Sequence, residues 1–188
     1  VMDCGNAAAA INGPRLIESL GVELTELYCE PDGTFPNHHP DPTVKENLID
    51  LISLMKAGEY DVGIAFDGDA DRIGVVDDKG EILWADELMS IFLPDIIKEG
   101  EDILFDVKCS QALDDMVRHF GGNPIMWKTG HSLIKQKMAE LDCKFGGEMS
   151  GHIFFADDYF GYDDALYVAA RLLELLSKTD KKLSELRS

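Results

Sequence analysis

The sequence predicts an α/β fold: two similar three-layer α/β/α domains built on mixed, mainly parallel sheets. Three observations point there. Short apolar runs alternate with segments of helical periodicity, the whole pattern restarts near residue 85, and polar loops follow the ends of the apolar runs.

In the first half, residues 1–4 (Val1-Met2-Asp3-Cys4) read as a buried strand, 7–20 as a helix and 22–28 as the next strand. Residues 31–42 carry four of the seven prolines and form a turn-rich stretch. Leu48, Leu51, Ile52 and Met55 give residues 44–56 a helical period. Residues 60–66 and 72–77 are strands on either side of an Asp-rich loop, and the turn at 77–80 leads to a short strand at 81–84. The second half follows with a helix at 87–97, a strand at 102–107, a helix at 111–120 and a strand at 123–127. A helix at 132–141, short strands at 143–145 and 153–156, and an apolar helix at 164–176 complete it. The domains are therefore set at 1–84 and 85–188. In such sheets ligands gather where strands end, so the loops after Phe66, Val107, Trp127 and Phe145 are the places to search.

Composition narrows the function classes. Seventeen basic residues against 36 acidic ones leave a net charge of -19, a surface that repels nucleic acid and anionic membranes. An apolar run of the ~20 residues that span a bilayer is missing, as is a basic-then-apolar leader. Cys4, Cys29, Cys109 and Cys143 are scattered, with neither zinc spacing nor a disulfide framework. They read as reduced packing residues of a cytoplasmic protein. The opening within an apparent strand and the close at Ser184-Glu185-Leu186-Arg187-Ser188, without a cap or tail, lead us to expect a piece of a longer protein.

Asp67-Gly68-Asp69-Ala70-Asp71-Arg72 sets three carboxylates at alternating positions. A hard divalent cation makes such crowding tolerable, because three facing carboxylates otherwise repel. Gly68 and Ala70 leave room for a tight backbone, and Arg72 offers a forked donor for a phosphate. A calcium loop of the EF-hand type also begins D-x-D-x-D, but it needs glycine where Arg72 stands, glutamate where Asp78 stands, and flanking helices. A phosphatase with Asp67 as nucleophile and a plain acidic turn remain alternatives.

Gly146-Gly147-Glu148-Met149-Ser150-Gly151-His152 lies between two short strands. Glu148 and Ser150 suit adjacent sugar hydroxyls, the glycines permit close backbone approach to a ligand, and His152 is a proton carrier or phosphate contact. The alternative is a glycine-rich hairpin with a solvated glutamate. Asn37-His38-His39-Pro40-Asp41-Pro42 reads as a rigid turn rather than a metal cluster. Asp163 or Asp164 is the expected N-cap of the last helix.

The pair DGDADR and GEMSGH, with Gly5-Asn6 near the start and Lys128-Thr129-Gly130-His131 between, resembles the α-D-phosphohexomutase superfamily, most closely its bacterial phosphomannomutase/phosphoglucomutase group. The similarity covers essentially the whole chain and corresponds to the central two of the family's four domains. It implies Mg²⁺ held by Asp67, Asp69 and Asp71, and sugar hydroxyls recognised by Glu148 and Ser150. Lys108 and His131 resemble further cleft residues. Arg72, Lys108 and His152 are implied for catalysis, with Lys108 and His152 as candidate general bases. The implied substrates are mannose or glucose 1- and 6-phosphates, interconverted through a phosphoserine and a bisphosphorylated sugar; Met149 matches the group that accepts both hexoses. The family's serine loop and fourth-domain phosphate loop have no counterpart in the sequence. The implied partners are therefore domains 1 and 4, without which this chain alone is expected to be inactive. A non-catalytic sugar-phosphate or metal-binding module is the third reading.

Overall fold

The computed structural model describes residues 1–187. They form two compact units, residues 1–83 with 165–187, and residues 84–164.

In the first unit the strands β1 (Met2–Asp3), β2 (Glu26–Leu27), β3 (Val62–Phe66), β4 (Ile73–Asp77) and β5 (Ile82–Leu83) form one sheet in the order β2-β1-β3-β4-β5. β1 runs parallel to β2 and β3, whereas β4 is antiparallel to β3 and β5. Side chains alternate across it. Ala65 and Val76 pack with Leu48, Leu51 and Met55, of which the last two lie on α2 (Ile49–Ala57) and Leu48 ends a 3₁₀ turn over Lys45–Leu48. Met2 points to the other face and meets Gly13 of α1 (Ala9–Ser19), where a Cβ would stand 2.1 Å from its methyl. The helices therefore cover both faces.

The second unit holds β6 (Asp102–Asp106), β7 (Asn123–Trp127), β8 (Phe145–Gly147) and β9 (Ile153–Phe155) in the order β7-β6-β8-β9. β6 is parallel to β7 and β8, and β9 returns antiparallel to β8. Leu104, Cys143 and Phe154 pack with Ile134 and Met138 of α5 (His131–Leu141) on one face. On the other, Phe92 of α3 (Ala85–Ile96) meets Phe145 and Phe155 edge-on, at ring separations of 6.1 and 5.1 Å. α4 (Gln111–His119) packs beside α3 and β7.

Several expectations shift. Helix α6 (Ala165–Ser177) packs with β4 and α1, so the segment after residue 164 joins the first unit rather than the second. A single turn, α7 (Leu183–Leu186), follows it, its start closed by the Glu185 carboxylate accepting the Lys182 N–H at 2.8 Å. β8 lies two residues later than its pattern suggests, placing Gly146 and Gly147 inside a strand. A Cβ at Gly146 would stand 2.7 Å from the Leu104 carbonyl oxygen, and one at Gly147 would stand 2.8 Å from Met89 Sδ. These glycines make room for close packing inside the strand. Among the described residues, no helix is long and apolar enough to cross a membrane.

Candidate functional site

The Asp-rich loop of the first unit joins β3 to β4 as a hairpin closed by the pair Phe66–Ile73. Asp67, only 3% exposed, is its organiser. Its Oδ1 accepts the backbone N–H groups of Asp71 (3.1 Å) and Arg72 (3.0 Å), and its Oδ2 accepts Arg72 Nε at 2.7 Å. The residue that takes the left-handed backbone is Ala70, with φ +63°, a conformation costly for any residue with a Cβ. Gly68, by contrast, has a normal φ and near-open space where a Cβ would go, so the tight turn does not depend on it.

Arg72 is held between two acids, its Nη1 donating to Asp41 Oδ1 at 3.2 Å. Burial alone would lower its guanidinium pKa. The hydrogen bond to Asp67, with the charges of Asp67, Asp41 and Asp71, raises it above the ordinary value instead. Its first task is thus to orient Asp67. Asp67, half-buried Asp71 and exposed Asp69 each offer an oxygen within 4.8 Å of the others. Oxygens sharing an octahedral ion at 2.0–2.1 Å stand about 3–4 Å apart, so small side-chain rotations suffice. A carboxylate offers roughly four acceptor directions. Asp67 has committed Oδ1 twice and Oδ2 once, which leaves a direction on Oδ2 for a cation. An all-oxygen anionic donor set of this kind fits Mg²⁺.

Nearby in the same unit, Asp3 ends β1 fully buried. It accepts the Gly5 N–H at 2.9 Å and pairs with His38 Nε2 at 2.9 Å. That hydrogen bond outweighs the opposing effect of burial and raises the His38 pKa. His38 is thus a structural partner, in keeping with the rigid-turn reading of its segment.

In the second unit the loops after β6, β7 and β8 meet at Asp106, which is completely buried. Its Oδ1 accepts the Met149 N–H at 3.1 Å and Cys109 Sγ–H at 3.3 Å, while Oδ2 accepts the Thr129 hydroxyl at 2.8 Å. Glu148 is 1% exposed, which removes the solvated-glutamate reading. Its Oε1 accepts the Gly130 N–H, and its Oε2 lies 3.4 Å from His152 Nδ1. Ser150 Oγ stands 2.8 Å from the same Nδ1.

His131 opens α5 and stacks on His152 at 5.1 Å and 22°. Its Nδ1 lies 2.6 Å from Asp163 Oδ2, and Lys135 Nζ lies 2.7 Å from Asp163 Oδ1. An ionised carboxylate only accepts, so Nδ1 carries the proton and Nε2 is left for a ligand. Burial would raise the Asp163 pKa, but the hydrogen bonds from Lys135 and His131 hold it below the ordinary range. Of the two residues expected to cap α6, Asp163 makes this pairing, while Asp164 directly precedes the helix and accepts the Tyr159 hydroxyl at 2.7 Å.

The second unit thus gathers Glu148, Ser150, His152 and His131 through contacts with one another. Lys108 is exposed in the turn after β6, and among the described residues its amine has no hydrogen-bond or ion-pair partner. Asp106 and Asp163 are the residues that sequence reading missed. The available signal was a lone acid closing an apolar strand for Asp106, and an acid just ahead of a helix for Asp163.

Known proteins match both units. The family described as phosphoglucomutase/phosphomannomutase, alpha/beta/alpha domain II, matches residues 1–80, and its domain III matches residues 84–188. A phosphomannomutase/phosphoglucomutase of Pseudomonas aeruginosa is 54% identical over 187 residues, covering 98% of this chain and 40% of that protein. A phosphoglucomutase of Neisseria gonorrhoeae is 48% identical over 181 residues, covering 95% of this chain and 39% of that protein. The crystal structure of a phosphoglucomutase/phosphomannomutase family protein from Burkholderia thailandensis superimposes with a TM-score of 0.95 at 47% identity, covering 98% of this chain and 41% of that one. The chain therefore spans about 40% of the length of such relatives.

Proposed function

Because this chain belongs to the phosphoglucomutase/phosphomannomutase family, we propose that it supplies the metal loop and the sugar loop of a cytoplasmic hexose-phosphate mutase. The reaction is reversible interconversion of mannose or glucose 1-phosphate with the 6-phosphate. A phosphoserine from a domain outside this chain gives its phosphoryl group to the free sugar hydroxyl. The P–O(serine) bond breaks, the P–O(sugar) bond forms, and the hydroxyl proton passes to a base. The bisphosphorylated sugar then returns its other phosphate to the serine.

Asp67, Asp69 and Asp71 would hold Mg²⁺, which when bound supplies Lewis-acid neutralisation of phosphoryl charge. Arg72 fixes Asp67 for that task through Nε. Glu148 and Ser150 accept and donate to ring hydroxyls, His131 presents Nε2 to the ligand, and Lys108 offers an exposed cation to a phosphate. Lys108 and His152 are the candidate bases. The same observation that favours metal binding disfavours an aspartyl-phosphate route. Asp67 has three acceptor directions filled, too few left to bind a cation and attack phosphorus together.

The observation that carries the reading is the trio of carboxylates within 4.8 Å on a loop built around Asp67. Domains supplying the serine and a second phosphate loop complete the site, so this chain alone binds metal weakly and turns over no substrate. The test is conversion of glucose 1-phosphate to the 6-phosphate with Mg²⁺. The mutase spanning all four domains is expected to convert it and to lose the activity on Asp69→Asn, while the chain alone gives none. Turnover by the chain alone would overturn the reading.

A further inference from the structure

The four cysteines do not share one environment. Cys109 donates to Asp106, and Cys143 is buried in a core cluster, where burial pushes its thiol up to about 11. Each stands apart from other thiols among the described residues. Cys4 and Cys29 differ. They lie 25 positions apart in sequence, yet their Sγ atoms are 2.7 Å apart, at the ends of the parallel neighbours β1 and β2.

Backbone geometry brings them together. The register Asp3–Leu27 continues through the Cys4 N–H bond to the Leu27 carbonyl, so Cys4 lies level with Tyr28 and one step before Cys29. Neighbouring strands about 4.8 Å apart and an offset of about 3.3 Å put the two Cα atoms about 5.8 Å apart, inside the usual disulfide window. In a regular strand Cys29 would point to the opposite face from Cys4. Tyr28, in the left-handed region at φ +54°, breaks that alternation. A bulky residue rarely takes this conformation. Here it is accompanied by the Asn6 N–H donating to the Tyr28 carbonyl at 2.8 Å and the Tyr28 hydroxyl donating to Asp50 at 2.8 Å.

We propose that Cys4 and Cys29 form a reversible dithiol modification site, oxidised by a peroxide to an intramolecular disulfide. Cys29 is partly exposed and Cys4 is fully buried, so the oxidant reaches Cys29 first. The hydrogen bond between the two thiols lowers the Cys29 pKa and, with burial, raises that of Cys4, which sets the same order. The Cys29 thiolate attacks one peroxide oxygen, the O–O bond breaks, and the departing hydroxide takes a proton to leave as water. Cys29 is then a sulfenic acid. The Cys4 sulfur attacks it as its proton leaves, the S–O bond breaks, and a second water departs. Two thiols have given two electrons to one peroxide. The new bond would tie together the ends of β1 and β2, beside the buried Asp3–His38 pair.

The site is tested on the full chain, reduced, freed of reductant, treated with hydrogen peroxide, denatured with an alkylating agent and mapped by mass spectrometry without reduction. The expected result is one cross-linked peptide pair holding Cys4 and Cys29, two hydrogens lighter than the sum, and abolished by dithiothreitol. Cys109 and Cys143 should be recovered alkylated. In Cys4→Ser, Cys29 should stop at a sulfenic acid trapped by dimedone, and in Cys29→Ser, Cys4 should be recovered as a free thiol. Recovery of Cys4 and Cys29 as alkylated thiols from folded, peroxide-treated wild type would overturn the proposal. So would cross-links that join either one to Cys109 or Cys143 at equal yield.

Discussion

Asp106 Oδ1 accepts the Met149 backbone N–H at 3.1 Å, a contact between the end of β6 and a loop 43 residues later. With the Thr129 hydroxyl on Oδ2, one buried carboxylate fixes the loops that carry His131 and Glu148. Replacing it with alanine leaves the Met149 N–H and the Thr129 hydroxyl without their acceptor. Hydrogen bonds to charged groups contribute about 1.5–3 kcal/mol each, with incomplete additivity. Asp106→Ala should therefore cost about 2–4 kcal/mol in urea unfolding, and Asp106→Asn, which keeps one acceptor oxygen, should cost less.

Arg72 braces the Asp-rich loop by holding Asp67 through Nε. Arg72→Lys keeps the positive charge and loses the fork. Partners that orient a ligand are worth about 10–100-fold in metal affinity, so Mn²⁺ titration should show binding about 10-fold weaker with an unchanged far-UV spectrum. Unaltered affinity would mean that Asp67 needs no such support.

The Asp163 carboxyl sits below its ordinary value of 3.8 because Lys135 and His131 donate to it. Its contribution to stability is fully present above 3.8 and fades as pH falls through the lower folded-state value. Tm measured from neutral pH downward should show wild type well above Asp163→Asn near pH 7, with the two curves converging in strong acid. Parallel curves would show that the carboxylate's charge contributes little.

His38 has the opposite sign. Its pKa is raised above 6.5 by the bond to buried Asp3, so its stabilisation is complete below 6.5 and lost as pH rises past the folded-state value. The Tm gap between wild type and His38→Ala should be widest near pH 5.5–6 and narrower at pH 9, which differential scanning fluorimetry across that range will read.

Much of this was legible because it is local. The strand–helix alternation places the two sheets, and Asp67, Asp69 and Asp71 stand within five positions on one hairpin. What was hidden is long-range. Asp106 meets Met149 across 43 residues and His131 meets Asp163 across 32, and no periodicity carries such pairings. Glycine misled in a different way. Gly146 and Gly147 read as loop punctuation, yet they lie inside β8 because neighbouring backbone and Met89 leave no room for a side chain. Helix α6 falls within the residues that match the family's domain III, yet it packs with β4 and α1, because an apolar stripe says that a helix is buried, not against what.

That packing constraint is testable. Gly146→Ala would put a methyl 2.7 Å from the Leu104 carbonyl oxygen, and overpacking of this kind costs about 1–3 kcal/mol. Chemical unfolding should show that loss, and an unchanged midpoint would mean that β8 has room for a methyl at Gly146.

The most direct test is calorimetric titration of this chain with Mg²⁺ and Mn²⁺, in wild type and in Asp69→Asn. Asp69 is exposed, so the substitution leaves the fold intact. We predict a single weak site in wild type that is lost in the variant at equal Tm. Equal binding by both proteins, or none by wild type at millimolar metal, would contradict it.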